Sequence, residues 1–143
     1  MITQGKMNAP SNTKETMSIL EKITILEKQA SEFGFKWENT DQIMAQIDGE
    51  CDEIKEQLQE SHQIKLQEEI GDLLHAVYSL CIYCGFSPLT TLEKATAKFE
   101  RRLNIVKQLA NEQGLTTLEN HSFDELMAYW KKAKKIVELA AKG

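Results

Sequence analysis

The sequence predicts an all-α fold of four or five helices, on three observations. Apolar residues recur at helical spacing along most of the chain. Serine, asparagine and proline stand where helices open. No segment alternates apolar and polar residues between turn signals, as a strand would. A length of 143 residues argues for one domain, able to bury roughly 70% of its unfolded surface.

Each element has its own warrant. Residues 1–13 hold Gly5, Pro10, Ser11 and Asn12 without an apolar period and read as a flexible tail; residues 14–143 form the folded domain. Ile19, Ile23, Leu26 and Ala30 place a first helix over about Lys14 to Ser31. Phe33-Gly34-Phe35-Lys36-Trp37 reads as a connecting loop. Asn39, with Gln42 three residues on, forms a capping box for a second helix, whose apolar stripe is Ile43, Ile47, Ile54 and Leu58. A third helix covers about Ile64 to Cys84, with a stripe of Leu66, Ile70, Leu73, Val77 and Leu80. Gly85 stops it, and Ser87-Pro88 starts a fourth helix running to about Gly114. Ser122 and Glu125 form a further capping box for a last helix to about Ala140. The third helix is apolar beyond its main row, at Leu74, Tyr78, Cys81 and Ile82. Such a helix needs burial on both sides.

Composition narrows the class. Apolar content of 41% and charged content of 27% suit a soluble globular protein. A net charge of −5 argues against nucleic acid or an anionic membrane as the main partner. No apolar run approaches the ~20 residues of a membrane span, and Met1 to Thr16 lacks the apolar core of a secretory signal. Three cysteines, Cys51, Cys81 and Cys84, are too few for a disulfide framework, and a reducing cytoplasm fits.

The most informative residues are two acidic pairs, Glu50/Glu53 and Glu69/Asp72, each spaced i,i+3 on one face of a helical turn. Fifteen residues separate Glu53 from Glu69, enough to end one helix and begin its antiparallel neighbour. Glu50 also interrupts an apolar stripe, where a merely solvated acid has no reason to be. Four carboxylates brought together repel unless a hard cation lies between them, so the expectation is a Mg²⁺ site serving phosphate chemistry. Asp52, Glu56 and Glu68 fall on other faces and read as solvated.

The remaining constellations have two readings each. Lys94, Lys98, Arg101 and Arg102 are either a solvated face countered by Glu100 or, through Lys98 and Arg102, a phosphate grip. Cys81 and Cys84 have metal-ligand spacing but lack a second pair, so buried inert thiols are expected. His75 is expected to be a core histidine. Trp37 and Trp130 suit either core anchors or stacking on a nucleobase.

These residues resemble the MazG-like all-alpha nucleoside triphosphate pyrophosphohydrolases, which carry E-x-x-E followed by E-x-x-D. The likeness extends in order over about residues 30–135. Phe33 to Trp37 looks like the family's Trp-containing entry segment, and Glu68-Glu69-Ile70-Gly71-Asp72-Leu73-Leu74 like its E-E-hydrophobic-G-D-L-L segment. Ala97 to Arg102 resembles its K-F-E-R-R segment, and Leu126 to Lys134 its closing W-x-x-x-K helix. Gly49 stands where many members have a first Glu, and the Cys-Pro that precedes the tryptophan in some members is missing.

The resemblance implies a helical bundle completed by homodimerisation, with some relatives pairing again into tetramers. It implies hydrolysis of NTP to NMP and pyrophosphate with Mg²⁺, or Mn²⁺ as substitute, held by Glu50, Glu53, Glu69 and Asp72. Lys65, Lys98, Arg102, Trp130 and Lys134 match positions that contact nucleotide in relatives, and Trp37 is the candidate for the base. Two alternatives stand beside this. One is a ferritin-like di-iron carboxylate bundle, which wants two Glu-x-x-His motifs where this chain offers only Asp72-Leu73-Leu74-His75. The other is a non-catalytic helical interaction module.

Overall fold

The computed structural model describes residues 18–142; the expected tail at 1–13 and residues 14–17 lie outside them. The described residues are all-helical: α1 (Ile19–Phe33), α2 (Thr40–Glu60), α3 (Gln63–Tyr83), α4 (Pro88–Glu112) and α5 (Phe123–Lys142). No single helix among them is long and apolar enough to cross a membrane.

Local chemistry sets the helix ends. Ser18 accepts from the Glu21 N–H while the Glu21 carboxylate accepts from the Ser18 N–H, a complete capping box. The first helix therefore starts at Ile19, later than the expected Lys14. It also runs past Ser31 to Phe33, because Gly34 at φ 99° supplies the left-handed cap that ends it. Phe33 is thus helical and the loop shorter than expected.

Asn39 caps α2 by accepting from the Gln42 N–H at 3.0 Å. The reciprocal half departs from the expectation: Gln42 Oε1 accepts from the Glu38 N–H at 2.8 Å, not from Asn39, and Gln42 Nε2 donates to the Glu38 carboxylate. Tyr83 at the end of α3 donates to the Glu38 carbonyl at 3.0 Å, tying the entry of α2 to the far end of its neighbour. Ser87 accepts from the Thr90 N–H to open α4, with Pro88 fully buried. Ser122 and Glu125 form the expected reciprocal box at α5, which continues to Lys142.

The described residues form two compact units, divided between Thr91 and Leu92 inside α4. In the first, α2 and α3 are joined through Ser61 and His62 alone, a link so short that the helices must lie antiparallel and adjacent. Their shared face buries Ile43 completely and Ala76 nearly so, with Ile47, Ile54, Leu66, Leu73 and Leu80 half-buried. α1 lies against α3 and buries no residue fully. The outer members of the expected stripes stay open: Leu58, Ile70 and Val77 are exposed, as is Leu74. The second unit holds the rest of α4 and α5, with Ala110 and Ala133 buried.

Candidate active site

The short α2–α3 link fixes which residues meet. Counted from Ser61, Glu53 and Glu69 each stand eight residues away, and Glu50 and Asp72 each eleven. Across an antiparallel pair, equal distances from the turn mean equal heights. The two levels are three residues, about 4.5 Å, apart along the axes.

The structure brings one oxygen from each of Glu50, Glu69 and Asp72 within 4.8 Å of one another. Glu50 and Glu69 are buried at 8% exposure each; Asp72 and Glu53 are exposed. Glu53 flanks the trio, its carboxyl meeting those of both Glu69 and Glu50. Three of the four candidate metal ligands therefore converge, with Glu53 beside them.

The electrostatics are those of a crowded anionic site. Burial pushes the Glu50 carboxyl above the usual range, and contact with the Glu53 carboxyl adds to the rise; a hydrogen bond from Gln46 opposes it. Glu53 is raised chiefly by its contact with the Glu69 carboxyl, and further by the charges of Glu69 and Asp72.

Glu50 Oε1 and Glu69 Oε2 are buried without any hydrogen-bond partner. Leaving such an acceptor bare costs about 1–3 kcal/mol, more when it is charged. A hard divalent cation satisfies both oxygens at once. The all-oxygen donor set of Glu50, Glu69, Asp72 and Glu53 fits Mg²⁺ or Mn²⁺, not a thiolate- or imidazole-seeking ion. Gly49, standing where a further acid is common, is exposed, and a Cβ there would meet nothing within 4 Å. Packing does not impose glycine at that position.

Sequence reasoning missed Gln46. Its Nε2 donates to Glu50 Oε2 at 2.8 Å and orients the buried ligand. The signal is in the spacing, since Gln46 stands four residues before Glu50 on the same face.

Lys65 is exposed in the first turn of α3, four residues before Glu69, and its backbone N–H is capped by His62 Nδ1 at 3.3 Å. Trp37 is half-buried just before α2. In the second unit, Lys98 on α4 and Lys134 on α5 are exposed. Arg102 is half-buried, its guanidinium carbon 5.7 Å from the centroid of the Trp130 ring. Phe99, which sequence pattern marks only as part of its segment, sits 5.7 Å from the same ring at 47°.

Two expectations are corrected. His75 is not a core histidine: its side chain is 60% exposed and lies 3.7 Å from Glu27 of α1. It stands apart from the carboxylate cluster, which removes the sole histidine at di-iron spacing. The paired thiols are not buried: Cys84, at the C-terminal cap of α3, is exposed and Cys81 is half-buried.

An antiparallel helix pair with converging carboxylates defines a class of protein suited to holding a hard divalent cation. The particular family follows from comparison with known proteins. Residues 38–107 match the MazG nucleotide pyrophosphohydrolase domain, so the chain carries a domain of the MazG family. That span contains all four acids with Lys65, Lys98 and Arg102; Trp37, Trp130 and Lys134 lie outside it.

The chain is 34% identical over 109 residues to the nucleoside triphosphate pyrophosphohydrolase/pyrophosphatase MazG of Thermotoga maritima, covering 76% of this chain and 41% of that protein. It is 27% identical over 136 residues to the nucleoside triphosphate pyrophosphohydrolase of Escherichia coli K12, covering 92% of this chain and 51% of that one. A third similar protein is the uncharacterized protein YabN of Bacillus subtilis, 29% identical over 74 residues, covering 52% of this chain and 15% of that protein. The chain thus spans about half the length, or less, of these relatives.

Proposed function

We propose that this protein is a Mg²⁺-dependent nucleoside triphosphate pyrophosphohydrolase, with residues 14–143 as its functional domain. The observation that supports this best is the pair of partnerless, buried carboxylate oxygens on Glu50 and Glu69 inside a cluster with Asp72, flanked by Glu53. The MazG domain and the names of the relatives supply the reaction class.

Glu50, Glu53, Glu69 and Asp72 hold the cation. When bound, the ion neutralises triphosphate charge and makes a nearby water a better nucleophile. Water oxygen attacks the α-phosphorus, and the bond from that phosphorus to the bridging oxygen of the β-phosphate breaks. The products are NMP and pyrophosphate. Glu53, the exposed acid whose carboxyl already favours a proton, accepts the one released by the attacking water. Gln46 keeps the Glu50 carboxylate in place. Lys65, Lys98, Arg102 and Lys134 stabilise charge on the triphosphate and on departing pyrophosphate. Trp37 and Trp130 complete the nucleotide site.

The working unit in this reading is a homodimer, with a further pairing into a tetramer open to it, in the cytoplasm. Apolar surface supports the association: Ile19 is 68%, Ile64 74% and Leu74 51% exposed in the single chain.

The deciding experiment is pyrophosphate release from the eight common NTPs and dNTPs with Mg²⁺, with products separated by chromatography. NMP and pyrophosphate are expected. NDP and orthophosphate would mean cleavage at another bond and overturn this assignment. No turnover, together with no nucleotide-dependent thermal shift, would favour the interaction module.

A further inference from the structure

An arginine that grips phosphate is useful only if its planar fork is held ready. Three things can hold it: a carboxylate, hydrogen bonds, or an aromatic face. Among the described residues no acid forms a salt bridge with Arg102. Its Nε is buried without a hydrogen-bond partner. The third holder is present: the guanidinium lies over the Trp130 ring, 5.7 Å from the centroid, within range of a cation–π contact.

The ring is itself braced. Phe99 and Arg102 are three residues apart on α4, so both reach the Trp130 indole from the same helix face. Phe99 meets the indole at 5.7 Å and 47°, a tilted aromatic pair that sets its plane. The guanidinium lies over one face of the indole and the phenyl group packs against it at a tilt, so the ring is already engaged by two side chains of α4.

We propose that Trp130 is a positioning residue: its ring, braced by Phe99, holds the Arg102 guanidinium ready for the phosphates of the nucleotide, and the ring does not read the base. The proposal rests on Arg102 being a phosphate ligand, as in the reading above. It predicts that Trp130 acts equally on every base and acts even when no base is present.

The probe is therefore inorganic tripolyphosphate with Mg²⁺, titrated calorimetrically into the full chain, beside KM for one purine and one pyrimidine triphosphate. The variants are W130L, W130F, R102Q and the double variant R102Q/W130L. Tripolyphosphate should bind W130L roughly threefold to thirtyfold more weakly than wild type, the range one partly desolvated cation–π contact supplies. W130F, with a weaker ring, should fall between them. KM should rise by the same factor for both nucleotides, and W130L should cost nothing further once Arg102 is glutamine.

Unchanged tripolyphosphate binding in W130L, with KM raised for one base only, would overturn the proposal in favour of base stacking. So would a W130L effect that persists in the R102Q background. Should W130L not fold, W130F with and without R102Q decides on the same terms. A wild type that binds tripolyphosphate and hydrolyses NTP while R102Q binds tripolyphosphate as well as wild type removes the premise and the proposal with it. A wild type inactive on every nucleotide instead strikes the pyrophosphohydrolase reading itself.

Discussion

Replacing Glu69 with glutamine should make the metal-free protein more stable and the enzyme nearly inactive. Glu50 and Glu69 are both buried, and their ligand oxygens lie within 4.8 Å. Two full charges at that distance repel by about 3.5 kcal/mol at an effective dielectric near 20. The raised Glu50 carboxyl, which favours its neutral form, already relieves part of this. The glutamine amide also brings a donor beside the partnerless Glu50 Oε1 and Glu69 Oε2 positions. A net gain of about 1–2 kcal/mol is expected, raising Tm by roughly 3–8 °C in a chain of this size.

The assay is thermal unfolding at one fixed protein concentration, in chelator and again in excess Mg²⁺. Wild type should gain Tm on adding Mg²⁺, by linkage of binding to folding. E69Q should gain much less, and its pyrophosphate release should fall at least about a hundredfold. A variant that is less stable than wild type without metal, yet keeps its Mg²⁺ response and full activity, would refute the account of this cluster as a strained cation site.

Three further outcomes follow from named contacts. Glu50 is raised from its ordinary 4.5, so metal-free folding keeps this contribution below that value and loses it as pH rises through the raised one. A cation competes with the proton, so the Mg²⁺-induced rise in Tm should shrink towards zero as pH falls from about 7.5 to about 5; a pH-independent rise would contradict this. Glu125 is lowered by its bonds from the Ser122 backbone and hydroxyl, so its part in the α5 cap is present above 4.5 and lost as pH falls through the lowered value. S122A removes the hydroxyl but keeps the backbone N–H that is the larger cause, so it should return the Glu125 titration, followed by NMR, only part of the way towards 4.5 and cost about 1 kcal/mol of stability; an unmoved titration would show that the Ser122 hydroxyl is not among the causes. Finally, light scattering should give a dimer or tetramer, and dilution should dissociate and unfold the protein together. A stable, active monomer of 16.3 kDa would overturn the assembly.

Much of the site is legible in the sequence. The i,i+3 spacing of Glu50/Glu53 and Glu69/Asp72 is one-dimensional information, and so is their equal distance from the Ser61 turn. Glu50 inside an apolar stripe announces its own burial. What spacing handles poorly are single side chains on α3. His75 and Cys84 sit in an apolar run and are expected inside, but an apolar run states only that cover is needed, not that this chain provides it. The first helix begins later than its apolar period suggests, because the Ser18–Glu21 capping box, not the period, sets where it opens.

The sequence by itself determined the helical class, the helix order and the acidic quartet. Those depend on local propensity, capping and spacing within a turn, all of which act between near neighbours. Only the tertiary structure decided that Glu50 Oε1 and Glu69 Oε2 lack partners, that Tyr83 reaches the Glu38 carbonyl 45 residues away, and that Arg102 lies over Trp130 rather than in open solvent. These depend on how each helix is rotated about its axis and on which side-chain rotamers survive packing. Such choices are settled by contacts between distant residues, and no local pattern encodes them.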